Sequence, residues 1–324
     1  MDPKLSISPN LPGDDPGLAD DLGDAGRPGP GGTPGPEPEP APVPERGGPG
    51  RIVLAATPIG NVGDATYRLV ELLTTADIVA AEDTRRLHRL VQNLGITVAG
   101  RIISYHEHNE AAKTGDLLDQ VRSGKTLVMV TDAGMPSVSD PGFRLVEGAV
   151  AAGLTVTAAP GPSAVLTALA LSGLPTDRFC FEGFLPRKAG ERASRLADLD
   201  AERRTMVFFE APHRLEPMLR ALRERFGADR HAAVCRELTK TYEEVIRGTL
   251  RELLEWAESN EVRGEIAVVV GGAPEREPGT PEDHVADVNA LIAQGIRLKE
   301  AVAAVAEDAR VSKRELYSAV LAAR

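Results

Sequence analysis

The sequence has few cysteines, no long apolar run and no excess of positive charge. Its two cysteines, Cys180 and Cys235, are too few for a disulfide framework or a four-thiolate metal site, and each is expected to be a buried thiol. No stretch approaches the ~18 apolar residues of a membrane span, and the N-terminus lacks the basic and apolar regions of a signal peptide. These absences predict a cytoplasmic protein in a reducing compartment, with no membrane partner.

Motifs of several large enzyme classes are also missing. No G-x-G-x-x-G follows a predicted strand, and neither the phosphate loop G-x-x-x-x-G-K-[ST] nor the nucleophile elbow G-x-S-x-G occurs. Dinucleotide oxidoreductases, phosphate-loop ATPases and serine hydrolases are therefore disfavoured. The net charge of −11 supplies no global positive field, so an RNA partner would have to meet a local basic surface.

The first 50 residues have the composition of a chain that does not fold. Residues 1–50 are acidic and rich in Pro and Gly, and proline occupies every second position from Pro36 to Pro44. Such a segment cannot bury enough apolar surface to offset the entropy lost on ordering. We expect a disordered tail, and a polyproline ligand for a partner is the less favoured alternative.

The pattern from residue 51 onward predicts an α/β protein with two domains. In residues 51–173, short apolar runs alternate with helix-length stretches, which is typical of a mostly parallel sheet with helices on both faces. The predicted strands are 51–56, 78–81, 101–105, 126–130 and 154–158, and the predicted helices include 85–94, 109–123 and 163–172. The turn at Gly173-Leu-Pro175 marks the expected boundary with the next domain.

Residues 174–273 form the second predicted domain, and a small helical module follows it. The strands expected in the second domain are 179–184, 205–210, 232–236, 243–247 and 265–270. Several connections are too short for crossover helices, so part of this sheet is expected to be antiparallel. Residues 280–324 are predicted to form helices at 298–309 and 312–322, similar to a helix-turn-helix, the second starting with the capping box Ser312-x-x-Glu315.

The residues that follow each strand of the first domain are the candidates for function. In open parallel sheets, ligands bind beyond the carboxyl ends of the strands. The five segments are TPIGNVG (57–63), EDTR (82–85), HEHNE (106–110), TDAGMPSVSDPG (131–142) and PGPSA (160–164). Any one of them could be an ordinary turn, but their convergence on one edge of the sheet predicts a lined cleft.

Three histidines of the predicted α/β domains admit more than one interpretation. His106 and His108 lie on one side of an extended segment, a spacing that a metal site could use. No cysteine or further histidine lies close in the sequence, so a metal is not expected. His213 could be either a structural histidine at a helix start or a residue of the cleft.

Taken together, these segments resemble the tetrapyrrole methylase superfamily of class III methyltransferases. The matching runs are TPIGN (57–61), AEDTR (81–85), YHEHNE (105–110), DAG (132–134), SDPG (139–142), PGPSA (160–164), EAPHR (210–214) and RELTK (236–240). The resemblance implies two α/β domains that bind S-adenosylmethionine in the cleft between them, and a homodimer. Within the superfamily, the sequence is most similar to the branch that 2′-O-methylates a cytidine of 16S rRNA in the small ribosomal subunit.

The resemblance also implies roles for individual residues. The implied cofactor contacts are Pro58, Asp132, Gly134, Met135, Ser163, Ala164, Glu210, Ala211 and Leu238. The sequence departs from the family pattern at Ala56, where a glycine usually precedes Thr-Pro, and the added Cβ either crowds a backbone approach to the cofactor or is neutral.

A ribose hydroxyl is a poor nucleophile while it keeps its proton, so a nearby base is expected. The candidates, in order, are His108, His106, Asp83 and Glu110. Candidates for RNA phosphate contacts are Arg85, Arg187, Lys188 and Arg214, although Arg85 and Arg214 could instead pair with Asp83 and Glu210.

Two other functions compete with this interpretation. A cobalamin or sirohaem pathway methylase, of the precorrin or uroporphyrinogen C-methyltransferase type, would share the fold and cofactor. The HEHNE segment and the C-terminal helices argue against it. A DNA-binding regulator using residues 298–322 would not need five polar strand ends, and is disfavoured for that reason.

Overall fold

The computed structural model describes residues 49–274, 279–309 and 311–323. The tail predicted at residues 1–50 therefore lies almost wholly outside the described residues. Within the described ranges, no helix is both long enough and apolar enough to cross a membrane.

The first sheet is parallel throughout, as predicted. Its strands are β1 (Arg51–Ala55), β2 (Ile78–Ala81), β3 (Arg101–Ser104), β4 (Thr126–Val130) and β5 (Thr155–Ala159). They are ordered β3-β2-β4-β1-β5, and each neighbouring pair is parallel. All five carboxyl ends therefore lie along one edge of the sheet.

Helices cover both faces of this sheet. They are α1 (Tyr67–Thr75), α2 (Thr84–Leu94), α3 (Glu110–Arg122) and α4 (Phe143–Ala151), whereas the next helix, α5 (Ala164–Ser172), packs on the second sheet. Side chains of successive strand residues point to opposite faces, so Val53 packs with α1 and α2 while Ile52 packs with α3 and α4. The apolar runs that predicted these strands are thus explained by burial on two sides.

The second sheet is mixed, which confirms the expectation of antiparallel pairing. Its strands are β6 (Phe179–Phe184), β7 (Thr205–Glu210), β8 (His231–Arg236), β9 (Glu244–Thr249) and β10 (Ile266–Val270), in the order β6-β7-β10-β8-β9. Only β6 and β7 of these described strands pair in parallel. Helices α6 (Ala189–Asp198), α7 (Pro212–Phe226) and α8 (Leu250–Ser259) cover one face.

Helix α5 joins the two sheets. Its residues Val165, Ala168 and Leu169 pack with Val207 of β7 and Val269 of β10 in one apolar cluster. The first domain thus supplies the cover for the second face of the mixed sheet. This contact holds the carboxyl edge of the first sheet beside the second domain.

Strand lengths in the β8–β9 hairpin differ from the prediction because pairing extends them. His231 pairs with Thr249 and Ala232 with Gly248, so both strands continue beyond their apolar runs. Backbone hydrogen bonds to the partner strand hold His231, Gly248 and Thr249, and neither burial nor alternation marks these three in the sequence.

The C-terminal module has a small core of its own. After a 3-10 turn (Pro281–His284) come α9 (Val285–Ala293), α10 (Leu298–Ala309) and α11 (Lys313–Ala322), which pack around buried apolar residues including Val288, Val302 and Leu316. The predicted start of α11 is confirmed, because the Ser312 hydroxyl accepts a hydrogen bond from the Glu315 amide at 3.4 Å.

Candidate functional site

A cavity of about 450 Å³ lies between the two domains at the carboxyl edge of the first sheet. From the first domain it is lined by Ile59, Glu82, Arg86, residues 132–135 and 138–140, and residues 163–165. From the second it is lined by Phe184, residues 209–212, Cys235, Leu238 and residues 264–267. A more open depression of about 790 Å³ lies at the opposite edge of the second sheet and contains none of the converging segments.

Eight of the nine predicted cofactor residues line this cavity. They are Asp132, Gly134, Met135, Ser163, Ala164, Glu210, Ala211 and Leu238. The ninth, Pro58, is replaced in the lining by its neighbour Ile59. The structure therefore brings together residues that are spread over more than 100 positions of sequence.

The loops after β1 and β4 are fixed to each other by their backbones. The Thr57 amide donates to the Gly134 carbonyl at 2.9 Å, and the Gly134 amide donates back to the Thr57 carbonyl at 3.1 Å. The Thr57 hydroxyl also donates to the Thr131 carbonyl at 3.1 Å. Gly134 has φ +79°, a conformation that L side chains rarely adopt, so glycine is required for this contact.

A loop of the second domain closes one side of the cavity against the first. The Asn61 amide donates to the Thr239 hydroxyl at 3.0 Å. Both Glu237 (φ +49°) and Thr239 (φ +64°) hold an uncommon left-handed backbone. Lys240 stabilises the loop by bonding Glu237 at 2.8 Å and Glu265 at 3.0 Å. Strained backbone of this kind persists where surrounding contacts over-determine it, and it concentrates at functional sites.

Gly60 packs directly under that loop, and we expect Gly60→Ala to weaken cofactor binding about tenfold, or about 1.4 kcal/mol. A Cβ at this position would lie 2.7 Å from the Thr239 hydroxyl oxygen and 3.0 Å from the Leu238 carbonyl oxygen. The loop must shift, and Leu238 with it. Calorimetry with S-adenosylmethionine measures the effect. Gly115→Ala in α3, where a Cβ meets nothing within 4 Å, is the control and should bind normally.

Three carboxyl groups from the first domain face the cavity. The Asp132 amide donates to Glu82 at 3.2 Å, and the Asp132 carboxylate pairs with Arg86 at 3.2 Å. Burial raises the pKa of both Glu82 and Asp132. Burial, with the nearby charges of Glu82 and Asp132, raises the pKa of Asp140 to about 7.

The four predicted base candidates do not line the cavity. His106 Nε2 lies 3.0 Å from the Asn109 side-chain amide, and the His106 and His108 rings are 5.9 Å apart. Glu110 pairs with Arg144 at 2.9 Å. Asp83 caps α2, accepting from the Arg85 amide at 2.8 Å and pairing with the Arg85 guanidinium at 2.8 Å. All four lie along the same sheet edge, outside the cavity.

The predicted RNA-contact residues divide into two groups. Arg85 is paired with Asp83, and Arg214 is held inside the protein by Glu210 at 3.1 Å and the Leu185 carbonyl at 2.6 Å. Arg187 and Lys188 are exposed just before α6, and Lys188 forms a surface ion pair with Glu191 at 2.9 Å. His213 is exposed in the first turn of α7.

Several residues of the cavity escaped the sequence prediction. Glu82 and Arg86 are next in the sequence to the predicted site residues Asp83 and Arg85. Neighbouring side chains at the start of a helix point in different directions, so Glu82 and Arg86 line the cavity and the other two do not. Asp140 lies within the matched SDPG run, but spacing alone does not show that its loop folds back over the cavity. The aromatic residues Phe184 and Phe209 come from strands without a motif.

Ala56, the departure from the family pattern, is accommodated by a glycine. A Cβ on Gly161 would lie 3.0 Å from the Ala56 Cβ, so Gly161 leaves the space that the methyl group fills. Ala56 is buried and does not line the cavity.

Comparison with known proteins identifies the family. A family model for tetrapyrrole (corrin/porphyrin) methylases matches residues 51–254. The chain belongs to the tetrapyrrole methylase family. The matching family is one of methylases and the curated relatives are named methyltransferases, so the chain is a methyltransferase.

Curated relatives in the tetrapyrrole methylase family cover most of the chain. A Mycobacterium tuberculosis protein named ribosomal RNA small subunit methyltransferase I is 50% identical over 277 residues, spanning 85% of this chain and 96% of the relative. A protein of the same name from Halalkalibacterium halodurans is 43% identical over 282 residues, covering 85% and 96%. The solved structure of the methyltransferase CobJ shares the fold, with TM-score 0.54, 23% identity and coverage of 71% of this chain and 97% of that one.

No group of three or more His, Cys, Asp or Glu side chains is arranged to hold a metal ion among the residues that the structure describes. Cys235 is buried, as expected, whereas Cys180 is only partly buried.

Proposed function

We propose that this methyltransferase transfers a methyl group from S-adenosylmethionine to the 2′-hydroxyl of a cytidine in 16S rRNA of the small ribosomal subunit. The observation that carries the proposal is the convergence of eight expected cofactor residues on one interdomain cavity. The relatives that are 40–50% identical over most of the chain and named as ribosomal RNA methyltransferases support RNA as the substrate. With a ribosomal substrate, the proposal includes a cytoplasmic location.

The chemistry of the cavity suits a cationic cofactor with an apolar body. The carboxyl groups of Asp132 and Glu210, although paired with Arg86 and Arg214, would offer negative charge to a sulfonium or an ammonium, and Ile59 and Leu238 would offer apolar surface. Gly134 has no side chain and Ala164 has only a methyl group, so a ligand can approach the backbone closely at both. A volume of about 450 Å³ lies in the range of small-molecule sites.

The protein's contribution to methyl transfer is mainly alignment and exclusion of water. The cofactor supplies an activated methyl group, and displacement at that carbon requires the attacking oxygen in line with the leaving sulfur. The bonded loops after β1 and β4 set one wall, and the Thr239 contact with Asn61 sets the other. Apolar residues from both domains keep the site dry, which strengthens electrostatic interactions there.

Labelled S-adenosylmethionine with a panel of acceptors tests the proposal. Purified protein should label small ribosomal subunits and should leave uroporphyrinogen and precorrin substrates unlabelled. The solved methyltransferases CobJ and CbiF are 23% and 19% identical to the chain, so they support the fold and not the acceptor. Labelling of a tetrapyrrole with none on the subunit would overturn the RNA proposal while leaving the cofactor assignment intact.

Charge reversal at Arg187 and Lys188 is expected to raise KM for small subunits about tenfold without changing cofactor affinity. The two side chains are exposed beside β6 (Phe179–Phe184), whose last residue lines the cavity, and phosphate contacts of this kind weaken with salt. Steady-state kinetics with Arg187→Glu/Lys188→Glu measures the effect.

The matched control reverses Arg122 and Lys125, which lie at the opposite edge of the first sheet, before β4. That variant should keep the wild-type KM. Equal KM values for both double variants would remove this basic surface from the RNA interface.

Because phosphate contacts also depend on how RNA is presented, we expect assembled subunits to be methylated far better than naked RNA.

The homodimer remains a prediction, and one surface supports it. Leu166 and Leu171 of α5 are exposed beside Gly161 and Pro162, around a shallow groove of about 430 Å³. Exposed apolar patches of this kind often mark association surfaces. Light scattering of wild type and Leu166→Glu tests it.

A further inference from the structure

A proton must leave the ribose hydroxyl as methyl transfer proceeds, and Asp140 is the carboxyl group best placed to accept it. Asp140 lines the cavity, on the loop that follows β4. The histidines and acids at the end of β3 lie outside it, and Asp83 is engaged in capping α2. Cavity position thus distinguishes Asp140 from all four candidates suggested by the sequence.

The loop that carries Asp140 has an uncommon backbone. Ser137 (φ +71°) and Ser139 (φ +62°) both adopt the left-handed region, and the Ser137 amide donates to the Pro141 carbonyl at 3.2 Å. A Cβ on Gly142 (φ +132°) would lie 2.6 Å from the Ser137 hydroxyl oxygen. The loop is therefore tightly turned, and the turn places Asp140 at the cavity.

The Asp140 carboxylate is without a competing partner in the described part of the chain. Within the described residues no hydrogen bond or ion pair engages it, and Arg86, a cation that lines the same cavity, is paired with Asp132. The charges that act on it are Glu82 after β2 and Asp132 after β4, and Arg86 on α2 lines the same cavity. Its lone pairs are thus available to a substrate proton.

Burial and the repulsion of Glu82 and Asp132 bring the pKa of Asp140 to about 7. A general base works best when its pKa lies close to the working pH, because it is then both ionised and basic. Glu210 and Glu265 also line the cavity, from the second domain.

We propose that Asp140 is the general base of the reaction. This assignment rests on the proposed function. Its carboxylate takes the 2′-hydroxyl proton as the ribose oxygen forms a bond to the methyl carbon. The carbon–sulfur bond breaks at the same time, its electron pair stays on sulfur, and S-adenosylhomocysteine leaves. The proton on Asp140 then passes to water.

The test compares Asp140→Asn and Asp140→Glu with Asp116→Asn, an exposed carboxyl on α3. We expect Asp140→Asn to lower kcat by about 100-fold or more, the usual contribution of a general base, while calorimetry shows unchanged S-adenosylmethionine affinity. Asp140→Glu should restore part of the rate, and Asp116→Asn should match the wild type.

The pH profile separates a base from a merely structural residue. Wild-type kcat should rise with pH through about 7, because the ionised carboxylate is the active form, and the Asp140→Asn profile should lose that step. Undiminished kcat in Asp140→Asn, an unchanged pH step, or a loss confined to cofactor affinity would each overturn the proposal. Failure of the wild type to methylate small subunits would instead refute the proposed function.

Discussion

Gly134→Val is expected to weaken S-adenosylmethionine binding by at least about 100-fold, equal to about 2.7 kcal/mol, and to abolish measurable methyl transfer. Gly134 has φ +79°, which a β-branched residue adopts only with strain. Its amide and carbonyl both bond Thr57, so relieving the strain separates the loops after β1 and β4. A Cβ would also lie 3.5 Å from the Ile59 side chain in the cavity wall.

The matched control for this substitution is Gly153→Val. Gly153 has φ +67° and lies in the turn between α4 and β5, where a Cβ meets nothing within 4 Å. Its backbone strain is comparable, but it lies at the edge of the sheet away from the cavity. Calorimetry on both variants, with circular dichroism to show folding, makes the comparison. Normal cofactor binding by folded Gly134→Val would place the cofactor elsewhere.

Arg214→Ala is expected to lower the free energy of unfolding by about 3 kcal/mol, because removing one partner of a buried ion pair leaves the other charge without compensation. The Glu210 side chain is 1% exposed, and Arg214 bonds it at 3.1 Å. Burial already raises the pKa of Glu210. The loss should therefore shrink in acid, where Glu210 is protonated and has no charge to compensate.

Arg220→Ala provides the control on the same helix. Arg220 pairs with Glu216 at 2.8 Å and Glu258 at 2.6 Å, but all three side chains are more than 40% exposed. Exposed pairs contribute about 0–1 kcal/mol, so this variant should unfold close to the wild type. Urea denaturation at pH 7 and pH 4.5 measures both variants. Equal stabilities would show that Arg214 is not a structural residue and would return it to the RNA candidates.

The sequence predicted the sheets well because burial on two faces produces apolar runs. Four strands, β2, β4, β6 and β7, have the predicted bounds. The β8–β9 hairpin was predicted too short because backbone pairing, not burial, holds its ends. The role of α5 as the cover of the second sheet was not predicted, since its apolar surface does not show which sheet it contacts.

The convergence of the strand ends on one cavity was predictable and the proposed base, Asp140, was not, for a physical reason. The carboxyl ends of parallel strands meet at one edge, so Asp132, Ser163 and Ala164 could be placed together from topology alone. The position of Asp140 depends on the left-handed residues Ser137 and Ser139, and neither serine signals that conformation in sequence. In the sequence, residue type favoured the histidines as the base, whereas the geometry of the cavity favours the carboxyl group of Asp140.

Analysis of nucleosides from methylated subunits is the most direct test of the proposed 2′-O-methylation of a cytidine in 16S rRNA. Small subunits from a strain lacking this methyltransferase, incubated with the protein and isotope-labelled S-adenosylmethionine, would be digested and resolved by mass spectrometry. We expect the label in 2′-O-methylcytidine, on the ribose of one cytidine per 16S rRNA. Label on a base, on another nucleoside or on no nucleoside at all would contradict it.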